Sequence, residues 1–538
     1  MAAHVDPAFG EHLKPEVFNV FSAWAEQENH SYRLERWLVN GRSQAPVAYT
    51  TETDREMRKA RRLVVKVTTV PDGKAAASEY RRHKKAIKEG GDFAARHMSI
   101  PVNHSVNCPE RQWITFQTVA GDDLESTEVL TVLLRRSLGV SHQSESNTAA
   151  RVFCDSQTFA QACANVVAGV LGDWNGQPYQ LDHDPWTVDG FLRRHIFDQM
   201  EPGGRLHSWA QRFQGTEMTL DGEPGPLPNP FAAAQGRYFS PELRIYPIVG
   251  KAHGDLHTDN ALIKVRPEID DTAYYLIDLS LYENAAPLTR DPTHMLLYII
   301  ARILTGEEPK YQQDALIELL LDTHHGPRDR VPGWLPQLID HLERACDAWL
   351  QGSGLRPAWT EQRLLSIAGC AMLFLGRTST PEPLKPWFLR LAGKALAHYA
   401  SMHRDHVASA SQTRAAAPHG ADNDWIAWLC RDLPEFADAA HAAGHDDDAE
   451  GLKAAARSGL DRKDDYLSLV RKLGGPEPGD PRFGTKGAEG RSEPESFVCP
   501  LNLCPRRDQR APGGPIPTCH LNREGKIRLR SVLDAGGA

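Results

Sequence analysis

The sequence predicts an α+β fold in which a small β-rich region is followed by a larger helical region. Apolar, β-branched runs separated by turn residues fill much of the first 121 residues, and this pattern is typical of strands. Apolar residues recur at a spacing near 3.6 within 149–200 and again from 292 to 403, which is typical of helices. The length of 538 residues exceeds that of one compact domain, so we expect about two to four.

In the β-rich region the predicted order of elements is strand, strand, strand, helix, strand. Residues 32–39 (YRLERWLV) and 45–52 (APVAYTTE) are strands on either side of a turn-like segment. Residues 61–70 (RRLVVKVTTV) form a β-branched run fit for a buried strand, ended by PDG. Residues 75–90 predict a helix that is closed by its last residue, a glycine, and 111–121 (RQWITFQTVAG) predict a further strand.

Two segments that are rich in Pro, Gly and small polar residues divide the carboxyl-terminal part of the chain. We expect linkers at both, with a small helical module between them. The predicted organisation, in chain order, is a β-rich lobe over 1–121, a helical lobe with an insertion over 122–408, a linker over 409–424, a helical module over 425–474, a disordered linker over 475–496 and a Cys-containing tail over 497–538.

Composition excludes several classes of protein. The formal net charge is −9, which argues against a nucleic-acid or anionic-membrane binder, because neutralising phosphates needs clustered positive charge. The sequence has no run of about 18 apolar residues and no signal-peptide pattern at its start, so we expect a cytoplasmic protein. Six of the nine cysteines are scattered singly, which predicts reduced thiols and no disulfide framework.

The chemistry-bearing motif is AHGDLHTDNALIK at 252–264, followed by LIDLS at 276–280. Phosphoryl transfer needs a carboxylate that orients the acceptor hydroxyl, a Lys for the nucleotide phosphates, and oxygen ligands for Mg²⁺. A loop that carries Asp255 and Asn260, with a strand that presents Asp278, supplies the oxygen groups. A polar turn without chemistry is the alternative, since Asp and Asn are common in turns.

HGDLHTDNALIK followed by LIDLS resembles the catalytic and metal-binding segments of the aminoglycoside phosphotransferase and choline-kinase branch of the protein-kinase-like superfamily. The resemblance runs from about residue 30 to 400 and implies a bilobal kinase-like fold. It implies Mg²⁺-dependent transfer of the γ-phosphoryl group of ATP or GTP to a hydroxyl or amine. The roles that it implies are catalytic base for Asp255, Mg²⁺ ligand for Asn260 and Asp278, and structural support for His253 and His257.

The same resemblance extends to the nucleotide side of the site. Lys66 lies where the family's phosphate-binding Lys lies on the third strand, and Glu79 is placed in the next helix to pair with it. Residues 116–124 resemble the hinge between the lobes. The loop over the phosphates would carry Gly41 and Ser43, and it departs from the family because it has a single glycine. Ser43 is open between a turn residue and a phosphate contact.

A second, weaker resemblance is to kinase-fold ternary complex associated domains of bacterial conflict and signalling systems, carried by NGRSQAPVAY and a CPxxxC-type tail. It implies an alternative in which the protein is a weak or inactive scaffold, with protein partners bound through its carboxyl-terminal modules. Retention of Lys66, Asp255, Asn260 and Asp278 argues for activity, whereas the glycine-poor loop argues for the scaffold. The acceptor stays open between an antibiotic, a small alcohol or amine, and a protein Ser or Thr.

Two further groups are candidates outside this motif. The tail offers candidate Zn²⁺ ligands, of which Cys519 and His520 are adjacent in the sequence. Adjacent residues rarely bind one ion together, so a zinc site and free thiols are both open. Asp291, in RDPTHML, resembles a structural Asp of the kinase-like branch, but we predict that it caps the next helix. The candidate zinc ligands are Cys499, Cys504, Cys519 and His520.

Overall fold

A computed structural model shows two compact units, Met1–Ala410 and Ser411–Ala538. None of the described helices combines the length and the apolar character that a membrane crossing requires. The structure describes residues 4–38, 46–69, 79–121, 125–139, 153–178, 184–404, 429, 436–437, 439–458, 462–473, 495–498, 507–510, 518–519, 527–528 and 530–531.

The first unit begins with a five-stranded antiparallel sheet. Its strands lie in the order β1-β2-β3-β5-β4, so the last strand in sequence pairs with the third. Four of the five follow the predicted runs, and β4 was missed because its short polar residues, in PVNHSVNC, hide the alternation of a strand. The strands are β1 His30–Trp37, β2 Val47–Asp54, β3 Lys59–Thr69, β4 Pro101–Cys108 and β5 Gln112–Thr118.

Helix α1, Pro15–Gln27, covers one face of this sheet. Val17, Phe21 and Ala25 recur every fourth residue, and all three are buried in a core shared with the sheet. The ring of Phe21 lies 5.8 Å from that of Phe116 on β5. A short 3₁₀ helix, Pro7–Glu11, precedes α1.

Helix α2, Glu79–His97, carries the predicted Lys partner at its first residue. The predicted end at Gly90 is confirmed for the first helical segment, but a second segment follows it directly and runs to His97. Gly91 takes φ 51°, ψ −128°, a conformation that glycine tolerates, and the helix then resumes. The added turns bury Phe93 and Ala94 in the core of the helical region.

The rest of the first unit is mainly helical, as the apolar spacing predicted. Helix α11 is central, because it packs against α5, α8 and α12. The helices are α3 Leu130–Ser137, α4 Ser156–Ala168, α5 Val188–Ile196, α6 His207–Arg212, α7 Pro230–Ala234, α8 Arg290–Ile303, α9 Lys310–Leu321, α10 Trp334–Leu350, α11 Arg356–Gly376 and α12 Lys385–Met402.

Short antiparallel strands carry the motif. Strand β11 pairs with β14, and β12 pairs with β13 and β6, so the loop 253–260 joins the two sets. The predicted loop with Asp255 and Asn260 is confirmed, whereas Asp278 lies two residues after the end of β13 and not on a strand. The strands are β6 Thr127–Val129, β7 Trp186–Thr187, β8 Glu217–Met218, β9 Leu227–Pro228, β10 Arg244–Ile245, β11 Val249–Ala252, β12 Ala261–Lys264, β13 Asp270–Leu276 and β14 Glu283–Pro287.

The second unit has, among its described residues, helices and short strands. Phe436 and Tyr466 pack their rings 5.6 Å apart between the helical segments. The elements are α13 Asp446–Ser458, α14 Lys463–Lys472, β15 Glu495–Val498, β16 Arg507–Arg510, β17 Thr518–Cys519, β18 Ile527–Arg528 and β19 Arg530–Ser531. The predicted α+β composition is confirmed, while the bilobal arrangement and the finer domain boundaries stay predictions.

Candidate active site

Lys66 lies on β3 between the buried residues Val65 and Val67, and its own side chain is 10% exposed. Its Nζ lies 2.5 Å from Glu79 Oε1 and 3.6 Å from Asp278 Oδ2. Burial lowers the pKa of Lys66, but the carboxylates of Asp278 and Glu79 outweigh it and leave the pKa raised. The structure therefore brings these three groups together, with the ammonium charged.

Asp278 follows β13 with a left-handed backbone, φ 59°, which is uncommon for a residue other than glycine. Such strain is often found at functional sites. Burial raises the pKa of Asp278, but the charge of Lys66 and the side chain of Ser280 together outweigh burial and keep the pKa lowered, so the group is a carboxylate. Its Oδ1 is buried and has no hydrogen-bond partner within the described residues, which leaves one oxygen facing no donor.

His253 opens the motif loop and connects it to the segment after β13 that carries Asp278. Its Nε2 lies 2.9 Å from the carbonyl oxygen of Ile277, and its Nδ1 lies 3.4 Å from the backbone nitrogen of Asp255. Nε2–H therefore donates to the carbonyl, and Nδ1 accepts from the backbone N–H. The ring is fully buried, so it holds two segments of the site against each other.

Gly254 has no room for a side chain. Its φ is 83°, and a Cβ there would lie 2.1 Å from the backbone oxygen of Leu281. Only glycine combines this backbone conformation with this close approach.

Asp291 does not cap helix α8 through its side chain, and the prediction that it does was wrong. Its carboxylate accepts hydrogen bonds from the backbone N–H groups of His253, at 2.6 Å, and Gly254, at 3.0 Å. The group lies one residue inside the helix, and packing of α8 against the motif loop turns it towards the loop. Asp291 is 1% exposed, so these bonds form out of contact with water.

Asp255 is the most enclosed carboxylate of the loop. Its Oδ1 lies 2.6 Å from Arg377 Nη2, and its Oδ2 lies 3.5 Å from His257 Nε2. Burial raises the pKa of Asp255, but the hydrogen bond from His257 and the charges nearby outweigh it and hold the pKa well below its usual value. At neutral pH the group is therefore ionised and can accept a hydrogen bond from a hydroxyl.

Asn260 completes the loop. Its Nδ2 donates to the main-chain oxygen of Asp255 at 3.0 Å, and its backbone nitrogen donates to His257 at 2.9 Å. Because Nδ2 and the backbone nitrogen make these bonds, the amide oxygen Oδ1 is a candidate ligand beside Asp278 Oδ1, which has no hydrogen-bond partner within the described residues. Two hard oxygens on adjacent segments fit Mg²⁺, which takes one or two protein oxygens and completes its shell with water and phosphate.

Polar side chains on one face of helix α8 contact the rest of the loop; we call this face the polar stripe, and its residues are Asp291, His294, Tyr298 and Arg302. Arg302 Nη2 lies 2.8 Å from Asp259 Oδ2, and the Tyr298 hydroxyl also donates to that oxygen. The ring of Tyr298 stacks on that of His257, with centroids 4.3 Å apart. His294 Nδ1 lies 2.8 Å from the backbone oxygen of Leu256. The shape of the loop is therefore set by a neighbouring helix.

Some predicted residues lie outside the described part of the chain. Gly41 and Ser43 are among them, as are Cys499, Cys504 and His520. For Cys519 the structure gives only a place in β17. Within the described residues, no group of three or more His, Cys, Asp or Glu side chains is arranged to hold a metal ion. The zinc tail and the phosphate-covering loop stay predictions.

Comparison with known proteins gives little further guidance. No protein-family model matches the chain, and no curated protein matches it. Among solved structures, it is similar to a glucosamine kinase in complex with glucosamine, ADP and inorganic phosphate, with 12% identity, a TM-score of 0.33, and coverage of 73% of this chain and 88% of that one. It is also similar to an aminoglycoside phosphotransferase from Alicyclobacillus acidocaldarius, with 13% identity, a TM-score of 0.31, and coverage of 69% and 92%. Because both TM-scores are low, what the site can do rests on its own contacts.

Several residues of the site were not predicted. Tyr298 and Arg302 continue, at helical spacing, the polar positions of Asp291 and His294 in an otherwise apolar helix, and that stripe is a signal that could have found them. Arg377 lies 122 residues after Asp255, and no local pattern marks it.

Proposed function

We propose that the protein is a phosphotransferase that moves the γ-phosphoryl group of ATP or GTP to a hydroxyl or amine acceptor. One observation carries the proposal. A charged, buried Lys66 is paired with Glu79 and faces Asp278, whose second oxygen has no partner among the described residues. Asp255 lies near enough to Asp278 for their charges to interact, so base, lysine and metal-ligand oxygens share one site.

The nucleotide side of the site would bind and neutralise phosphate. Glu79 pairs with Lys66 on β3, which holds the ammonium in a fixed position from which it can contact phosphate oxygens. Asp278 and Asn260 would hold Mg²⁺, which when bound neutralises charge on the phosphates. Preorganised charges of this kind act before the reaction begins and need no rearrangement during it.

The acceptor side depends on Asp255. The acceptor hydroxyl donates a hydrogen bond to this carboxylate, which orients its oxygen towards the γ-phosphorus. The acceptor oxygen bonds to that phosphorus as the bond to the bridging oxygen of the β-phosphate breaks. The electron pair leaves with the nucleoside diphosphate, and the acceptor proton passes to Asp255. Because this carboxyl is a weak base, its main contribution is orientation.

A scaffold without turnover is the competing function, and its place in a bacterial signalling or defence complex stays a prediction. A scaffold has no need to keep a strained Asp278 beside a buried lysine. The strain at Asp278 therefore favours the phosphotransferase.

The test combines nucleotide binding with turnover. Nucleotide binding is measured as a thermal shift with ATP, GTP and their non-hydrolysable analogues, each with and without Mg²⁺. Turnover is measured as release of the nucleoside diphosphate, with water alone and with a panel of hydroxyl and amine acceptors. Asp255→Ala should lose at least about 100-fold in turnover and keep the nucleotide shift. Asp278→Ala should lose turnover and the Mg²⁺-dependent part of the shift.

A matched control is Asp340→Ala, because Asp340 is ion-paired with Arg328 at 2.7 Å, as Asp255 is with an arginine, but lies on α10. This variant should keep turnover. Undiminished turnover in Asp255→Ala would refute the mechanism. If none of the nucleotides shifts the melting temperature, the scaffold is favoured.

A further inference from the structure

Arg377 directly follows helix α11 and reaches the carboxylate proposed to orient the acceptor. Its side chain is 16% exposed, and its Nη2 lies 2.6 Å from Asp255 Oδ1. The same nitrogen lies 2.9 Å from His294 Nε2. The two hydrogens of Nη2 are thus directed at two different acceptors, one on the motif loop and one on helix α8.

The state of His294 follows from its other contact. Its Nδ1 lies 2.8 Å from the backbone oxygen of Leu256, so Nδ1 carries the hydrogen and Nε2 presents a lone pair. Burial and the charge of Arg377 lower the pKa of His294 well below its usual value, so the ring is neutral. His294 therefore accepts a hydrogen bond from Arg377, and the positive charge beside Asp255 is that of the guanidinium.

An aromatic surface fixes the plane of the guanidinium. The Arg377 guanidinium lies 4.6 Å from the ring centroid of Phe374, one turn earlier on α11, and the His294 ring stacks on the same phenyl ring at 5.2 Å. Nη1 is buried and finds no hydrogen-bond partner in the described part of the chain. Both side-chain hydrogen bonds described for Arg377 are therefore made by Nη2.

We propose that Arg377 is a positioning residue of the transfer reaction: its guanidinium fixes the rotation of the Asp255 carboxylate towards the acceptor. The inference rests on the phosphotransfer proposed above. Asp255 sits on a loop, and a carboxylate on a loop can rotate about its side-chain bonds. Arg377 directly follows α11, a buried helix packed against α5, α8 and α12. The position of its guanidinium is therefore fixed, and its hydrogen bond limits the rotation of the Asp255 carboxylate.

The expected effect is on the chemical step rather than on nucleotide binding. Arg377 contacts the base and not the residues proposed to hold phosphate, so its loss leaves Lys66 and Asp278 in place. A misplaced catalytic group can cost on the order of 100-fold in rate. We therefore expect Arg377→Ala to lower kcat by about 100-fold and to change KM for the nucleotide by less than about twofold.

The experiment measures kcat and KM for Mg²⁺-ATP in the full chain for three variants. Arg377→Ala removes the guanidinium, Arg377→Lys keeps the charge with a shorter reach, and Arg363→Ala is the control. Arg363 lies on the same helix and pairs with Glu343 at 3.0 Å, so its loss removes a similar ion pair away from the loop. Added guanidinium ion, below concentrations that unfold the protein, should restore part of the activity of Arg377→Ala, and Arg377→Lys should lie between wild type and Arg377→Ala.

Crystal structures of wild type and Arg377→Ala supply a measurement that does not need turnover. The Asp255 carboxylate should rotate in Arg377→Ala. An unchanged carboxylate, or a fall in kcat no larger than that of Arg363→Ala, would overturn the positioning role. If wild type itself shows no turnover, the proposed function fails, and the orientation of Asp255 in the two structures alone decides the role of Arg377.

Discussion

Replacing Asp291 with alanine would remove both hydrogen bonds that its carboxylate accepts from the motif loop. The bonds run from the backbone nitrogens of His253, at 2.6 Å, and Gly254, at 3.0 Å, to a side chain that is 1% exposed. Each buried backbone N–H that loses its acceptor costs about 1–3 kcal/mol, so the loss of both bonds costs about 2–6 kcal/mol. Asp291→Ala should therefore lower the free energy of unfolding by about that amount.

The assay is chemical denaturation followed by far-ultraviolet circular dichroism, with Asp155→Ala as the control. Asp155 is a true N-cap, since its side chain accepts from the backbone nitrogen of Thr158 at 2.7 Å at the start of α4, and its loss should cost about 1 kcal/mol. If Asp291→Ala lowers the free energy of unfolding by no more than Asp155→Ala does, Asp291 contributes no more than an ordinary cap. The stabilising role of its two hydrogen bonds to the loop would then be refuted.

Two further results are expected. Gly254→Ala should abolish turnover and destabilise the protein, because a Cβ at Gly254 meets the backbone oxygen of Leu281. The control is Gly352→Ala: Gly352 has a similar φ of 76° but no atom within 4 Å of a Cβ, so this variant should lower the free energy of unfolding by only about 1 kcal/mol. Equal losses of stability in urea unfolding would contradict this. Burial and the charge of Arg290 lower the pKa of His195 to about 3, from 6.5 in the unfolded chain, so stability is full above pH 6.5 and falls as the pH drops towards 3. At pH 5 this histidine should cost about 2 kcal/mol relative to pH 7, and His195→Gln should flatten that dependence; an identical pH profile in the variant would contradict it.

Local patterns were enough to predict four of the five strands of the first sheet, the helical region and the motif loop. β-branched runs gave the third strand with Lys66, and the spacing of polar residues in the loop singled out Asp255 and Asn260. The order of strands in the sheet was not readable, because pairing of β5 between β3 and β4 depends on tertiary contacts. Strand β4 itself was missed because its polar residues carry no alternation of a half-buried strand.

The missed parts of the site share a physical cause. Asp291 was taken for a helix cap because local sequence favours that role, but the packing of α8 against the loop overrides it. Arg377 belongs to the site because α11 and α8 pack side by side, and no spacing in the sequence reports that contact. Side chains that act across elements are therefore found from the fold, whereas side chains within one loop are found from the sequence.

The polar stripe of helix α8 has a consequence for how the loop moves. Asp291, His294, Tyr298 and Arg302 contact the loop along nearly its whole length, from His253 to Asp259. The loop therefore cannot open on its own as a surface turn would, because opening it exposes the buried partners of the helix. Opening the loop would disturb its contacts with α8, a helix whose first eleven residues are all buried. We therefore expect the loop and the helix to open together, as one cooperative unit.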